Sequence, residues 1–121
     1  MSDVRSFLVE KASLNEEQFP WGTLTWLCSD RLSPGAAQTV GVCHILPRAK
    51  NPRHYHPNCE EVLHVVRGSG LHSFGDEMLQ LGPGDTLRIP AGVIHNFENT
   101  SDEPLMCIIT FSSGQRETVF L

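Results

Sequence analysis

The sequence contains no apolar stretch of transmembrane length, so no helix of it is expected to span a bilayer. Its first residues, MSDVRSFLVEKAS, lack a basic segment followed by a long apolar run, which argues against a signal peptide. Four cysteines, Cys28, Cys43, Cys59 and Cys107, sit far apart and form no C-x-x-C pair. Reduced, mostly buried thiols are expected, and with them a cytoplasmic location. Basic residues are few: 9 Lys and Arg against 14 Asp and Glu leave a net charge of −5. A net negative surface attracts neither nucleic acid nor acidic membranes, so neither is expected as a partner. No phosphate-binding glycine loop, Ser–His–Asp order or second carboxylate pair is present, which leaves kinase and hydrolase chemistry without support. There is no internal repeat. At 121 residues the chain suffices for one core and not for two ordinary domains, so residues 1–121 read as one domain.

What is present is a series of short strand-like runs between turns. Ser6–Val9, Trp21–Cys28, Ala37–Leu46, Ser69–Phe74, Met78–Leu81, Thr86–Ile89, Val93–Glu98 and Leu105–Phe111 are apolar, alternating or β-branched. Gly, Pro, Asn and Asp cluster between them, as in Gly82-Pro83-Gly84-Asp85 and Asn99–Pro104. Ser13 with Glu16 three residues later has the form of a capping box, which Pro20 would end within a turn. If Trp21–Cys28 is a regular strand, Trp21 and Trp26 take opposite faces, one of them exposed or covered by a second subunit. The tail after Phe111 is either loose or adds a strand. Many short strands with almost no helix predict an all-β sandwich or barrel.

The stretch HYHPNCEEVLHVVRG, His54 to Gly68, carries the chemistry. Two histidines at i and i+2 on an extended strand point to one face, so His54 and His56 can converge on one ion. Pro57 and Asn58 read as a turn, after which Glu61 opens the strand VLHVVR beside the pair. A lone H-x-H on a strand is more often two unrelated histidines. Here a second stretch, GDTLRIPAGVIHNFEN, adds His95 after a Pro-Ala-Gly corner.

Together the two stretches resemble the paired motifs of the cupin superfamily. The first, H-x-H-x4-E-x6-G, is met by His54, His56, Glu61 and Gly68; Arg48 stands where the motif's leading glycine is usual. The second, G-x5-P-x-G-x2-H-x3-N, is met by Gly84, Pro90, Gly92, His95 and Asn99. The resemblance implies a double-stranded β-helix, the jelly-roll barrel of cupins, with motif 1 at 54–68 and motif 2 at 84–99. It implies one divalent transition metal per chain on His54, His56, Glu61 and His95. Three neutral imidazoles and one carboxylate suit Fe, Mn, Ni, Co or Zn. Four ligands would saturate a tetrahedral ion, whereas a six-coordinate ion keeps two positions for water or substrate, which favours the first four for catalysis.

Glu60 is the rival carboxylate, but it leaves Gly68 one residue out of step and faces the opposite way from Glu61. His64 is opposite in parity to Glu61, and His44 and His72 lack motif support; all three read as ordinary core or surface histidines. Cys59 is expected in the connecting turn, away from the ion. Arg53 and Tyr55 alternate away from the site. Asn99 reads as a turn residue. Leu63 and Val65 share parity with Glu61, and Phe97 with His95, either as an apolar pocket wall or as barrel packing. The resemblance allows two functions. One is a metal-dependent enzyme on a small organic substrate, of dioxygenase, isomerase or epimerase, lyase or cyclase type. The other is a non-catalytic module that binds or senses a small molecule, with a structural metal. Pairing through the edges Ser6–Val9 and the TVFL tail predicts a homodimer.

Overall fold

The computed structural model describes residues 3–121. In the first of its two sheets, six strands run in the order β1 (Glu16–Phe19), β2 (Gly22–Cys28), β3 (Thr39–Ile45), β10 (Leu105–Phe111), β5 (Glu61–Arg67) and β8 (Thr86–Ile89). The second has five, in the order β11 (Val119–Phe120), β4 (His54–Tyr55), β9 (His95–Asn99), β6 (Gly70–Phe74) and β7 (Glu77–Leu81). Every pairing between these strands is antiparallel, and the chain crosses from sheet to sheet as in a double-stranded β-helix. The all-β jelly roll expected from the sequence is the fold observed.

Alternation explains where the core lies. Every second residue is buried along β3 from Thr39 to Ile45 and along β10 from Leu105 to Phe111. These residues fill the space between the sheets with Leu63, Val65 and Phe97. Each large apolar side chain removed from water there contributes about 1.5–3 kcal/mol. Gly41 on β3 is needed for a different reason. A Cβ at that position would sit 2.6 Å from the indole of Trp26, its partner on β2. The missing side chain leaves room for that indole, which lines the interior cavity.

Three local expectations are corrected. Ser6–Val9 is not a strand: Val4–Phe7 forms a 3-10 turn, in which the Asp3 side chain accepts from the Arg5 amide and Ser6 Oγ donates to the Asp3 carbonyl. These local bonds satisfy the backbone without a partner strand. Ser13 does not start a helix either. It ends the short 3-10 turn Lys11–Ser13, its hydroxyl donating to the Glu10 carbonyl, and Glu16 opens β1. Pairing with β2 outcompetes a single helical turn, whose nucleation is unfavourable. Finally, Trp21 and Trp26 border the same cavity. Trp21 lies ahead of β2 and outside its alternation, and its ring stacks on Phe19 with centroids 4.9 Å apart.

The turn before the first motif departs from rule at one residue. In Leu46-Pro47-Arg48-Ala49 the Ala49 amide donates to the Leu46 carbonyl, and Arg48 has φ +64°. Arg48 is the one non-glycine residue with positive φ among those described. Proline in the second position and positive φ in the third make this a type II turn, whose third position favours glycine. Arg48 therefore keeps the backbone that a leading motif glycine would adopt, with its Nε donating to Asp102 at 2.9 Å. The turn matters because the next residues are zipped to β9. The Asn99 amide donates to the Ala49 carbonyl, and the Asn51 amide to that of Phe97.

Candidate metal centre

That zipper delivers His54 to His95. His54 opens β4, His95 opens β9, and the two are direct cross-strand partners. Two residues on, His56 shares the face of His54. Glu61 opens β5 in the opposite sheet. One donor atom from each of His54, His56, Glu61 and His95 lies within 4.8 Å of the other three, and all four side chains are buried.

The ring tautomers are set by the backbone. His54 Nδ1 is 2.7 Å from the Pro52 carbonyl, His56 Nδ1 is 2.9 Å from that of Glu117, and His95 Nδ1 is 2.9 Å from that of Val93. A carbonyl only accepts, so each Nδ1 carries the hydrogen and donates it. Each Nε2 is left with a lone pair. His95 Nε2 lies 3.0 Å from Glu61 Oε1, and His56 Nε2 lies 3.2 Å from the same oxygen without the alignment of a hydrogen bond. A lone pair facing a carboxylate oxygen at these distances is repulsive unless a proton or a cation lies between them. The donor set therefore fits a divalent transition metal, with the carbonyl-bound Nδ1 groups fixing the orientation of the rings.

Without a metal, protons must serve. Burial favours a neutral Glu61, but the neighbouring His56 and His95 imidazoles outweigh it and hold the carboxyl at about 2. Burial pulls His95 down while the Glu61 carboxylate raises it, with a net rise above the ordinary imidazole range. His54 is pushed down to about 4, chiefly by burial and then by His95.

The other expected roles are visible in the contacts. Glu60 points outward to Arg88 Nε at 2.7 Å, leaving Glu61 as the inward carboxylate. His64 is exposed and bonded to Thr86 Oγ1. His44 alternates to the face of β3 opposite Cys43 and Ile45. Arg53 is turned to Ser73 Oγ and the Gly75 carbonyl. Cys59 lies in the segment between His56 and Glu61, buried in the core, and supplies none of the four donors. Asn99 is fully buried, donating to the Ile45 and Glu103 carbonyls and accepting from the Ser101 amide.

The same fold is found in known proteins. A family profile described as Cupin domain matches residues 41–111. The chain belongs to the cupin family. Germin-like protein 3-8 of Oryza sativa subsp. japonica is 34% identical over 80 residues, which are 62% of this chain and 36% of that protein. The HTH-type transcriptional activator RhaR of Klebsiella pneumoniae is 35% identical over 83 residues, 69% of this chain and 29% of that one. The crystal structure of Lactobacillus farciminis oxalate decarboxylase in a formate complex superimposes with a TM-score of 0.84 at 22% identity, over 91% of this chain and 34% of that one. This last likeness is one of fold. The cupin chain spans about a third of the length of these relatives.

Beside the four donors this cupin has a cavity of about 150 Å³ between the sheets. Leu63 and Phe97 line it, as an apolar wall; Val65 is buried in the core instead. Sequence reading missed two of its contributors. His72, on β6, is fully buried, with its ring parallel to that of His95 at 5.7 Å and neither nitrogen hydrogen-bonded. Burial pushes it to about 4, so the ring is neutral. The tail is the other contributor. Arg116, Thr118 and Phe120 all face the cavity, and Val119–Phe120 pairs with β4 as β11. The period-two alternation of these three was the available signal. No helix among the described residues is long and apolar enough to cross a membrane.

Proposed function

We propose that this cupin is a metal-dependent enzyme whose small organic substrate sits in the barrel cavity, with His54, His56, Glu61 and His95 holding one divalent ion per chain. The observation that carries the reading is that all four donors border the cavity itself. Iron, manganese, nickel, cobalt and zinc all suit the donor set. An ion bound there would supply Lewis-acid or redox chemistry to the occupant of the cavity. The chain's own contribution is positional. Backbone carbonyls orient the three imidazoles, and aromatic side chains wall the space in front of them.

Elemental analysis of protein prepared without a histidine tag, beside His56→Ala, tests this. Near-stoichiometric metal in the parent, lost in the variant together with turnover, is the expected result. Turnover that survives loss of the metal overturns it.

A second reading, a non-catalytic sensing module, has one observation in its favour. Glu61 is the only Asp or Glu among the described residues lining the cavity, so no spare carboxylate is at hand as a base. The likeness to a transcriptional activator points the same way. A ligand that raises the melting temperature without being consumed would favour this reading.

We also propose a single cupin domain over residues 1–121, a reducing compartment in which four unpaired cysteines persist, and a homodimer formed through the second sheet's edge. β11 is that edge, and Phe120 and Leu121 there are exposed. A monomeric mass by light scattering at micromolar concentration would remove the dimer.

A further inference from the structure

The aromatic residues of this chain are not spread evenly. Both tryptophans and four of its six phenylalanines line the one cavity beside the four donors. Arg116 is set among them. Its guanidinium carbon lies 4.3 Å from the centroid of the Trp26 ring and 5.2 Å from that of Phe111. Its Nη1 donates to Thr118 Oγ1 at 2.6 Å. Among the described residues no carboxylate is paired with it; Glu61 is engaged by His56 and His95 instead. The nearby Glu17 carboxylate accepts from Trp26 Nε1. Stacking on two rings and one hydroxyl bond leaves most of the five guanidinium donors unused.

Charge makes the gap larger. Among the described residues lining the cavity, Glu61 and Arg116 are the only members of the Asp, Glu, Lys and Arg set. A divalent ion on the four donors would turn the local charge of Glu61 from negative to net positive. Arg116 would add a second positive charge in the same low-dielectric space. A cationic cavity with apolar walls selects an anion with an apolar body.

Size selects further. A dry apolar cavity of about 150 Å³ accommodates a benzene ring, and this cavity has that volume. That volume suits a single substituted ring.

We infer that the cavity takes a single-ring aromatic carboxylate, with Arg116 binding the carboxylate and the Trp26, Phe111 and neighbouring aromatic faces holding the ring. The inference rests on the proposed reading that the cavity is the substrate site, and it makes Arg116 the residue that sets substrate charge.

The test is a set of titrations of the metal-loaded protein with benzoate, its neutral counterpart benzamide, and acetate. Trp21 and Trp26 both line the cavity, so intrinsic fluorescence reports occupancy, with the thermal midpoint as a second readout. Benzoate is expected to bind at least about tenfold more tightly than benzamide or acetate, the ratio for loss of one charge-assisted contact or of one buried ring. Arg116→Gln is expected to reduce benzoate to the level of benzamide while keeping its metal, and Arg116→Lys to retain part of the preference. Equal binding of benzoate and benzamide overturns the inference, as does acetate binding as tightly as benzoate, no benzoate binding at millimolar concentration, or undiminished benzoate binding by folded Arg116→Gln. The comparison of the three ligands on the parent stands even where Arg116→Gln fails to fold. The outcome is separable from the enzymatic reading. Benzoate binding through Arg116 without turnover of any substrate leaves the anion site standing and removes the enzyme. Turnover of a neutral substrate without benzoate preference does the reverse.

Discussion

Glu61 Oε1 lies 3.0 Å from His95 Nε2, on a ring whose other nitrogen already donates its hydrogen to the Val93 carbonyl. Something positive must be shared by them, a proton in the metal-free protein or an ion in the loaded one. The two cases differ in how stability depends on pH.

In the metal-free protein the signs can be worked out group by group. His54 and His72 fall from 6.5 to about 4 on folding, chiefly through burial, so the unfolded chain binds more protons in that window. Their stabilisation is complete above pH 6.5 and is lost as pH falls through 4, at most about 3 kcal/mol each for a drop of that size. Glu61, held at about 2 against an ordinary 4.5, adds a loss of the same sign at lower pH. His95 is raised, so its contribution is present below 6.5 and is lost as pH climbs through its folded value. Urea midpoints of the metal-free protein are therefore expected to peak near pH 6.5. The loaded protein is expected to lack the alkaline decline, because the ion replaces the His95 proton. Identical profiles with and without metal would contradict this account.

Paired carboxylate variants separate the two adjacent glutamates. Glu61→Gln removes the only anionic donor, and its metal content is expected to fall to a small fraction of the parent's. Glu60→Gln breaks an exposed pair with Arg88, and its metal content is expected to be unchanged, with a stability loss below about 1 kcal/mol. Elemental analysis and thermal melting of both decide. Metal loss in Glu60→Gln would reverse the ligand assignment.

Arg48→Gly should stabilise the protein by roughly 0.5–1 kcal/mol, since glycine enters the left-handed region without the penalty that a side chain carries there. Its exposed pair with Asp102 is worth too little to offset this. A lower urea midpoint in the variant would show that the Asp102 contact matters more than the backbone.

Gly41→Ala should cost about 1–3 kcal/mol, because the new methyl lands 2.6 Å from the Trp26 ring. The displaced indole also leaves its place beside Arg116, so a change in tryptophan emission is expected with the loss in stability. Unchanged emission with full stability would mean the β2–β3 pair yields at no cost.

How far these features were legible follows from the range of the interactions behind them. The barrel and the convergence of His54 with His56 were readable because they depend on period-two alternation, which is local. Parity on one strand let only one of Glu60 and Glu61 face the site, and the spacing to Gly68 in the cupin-like motif chose Glu61. His72 looked ordinary because its relation to His95 is made across β6 and β9, and no spacing within β6 records it. The N-terminal 3-10 turns were misread because apolar residues at Phe7 and Leu8 suggested a strand, whereas short-range bonds from Asp3 and Ser6 decided the outcome. Trp21 was assigned by alternation to a strand that begins one residue later. The cavity role of Arg116 depended on β11, which pairs with β4 more than sixty positions earlier in the chain.

The donors of the candidate site are split between layers. His54 and His95 belong to the second sheet, Glu61 to the first, and the His56 ring is steadied by a carbonyl 61 residues away, at Glu117. None of these groups can gather until both sheets have formed and met face to face. An ion captured there would act as a late clamp between the layers. It would slow their separation far more than it would hasten their first encounter.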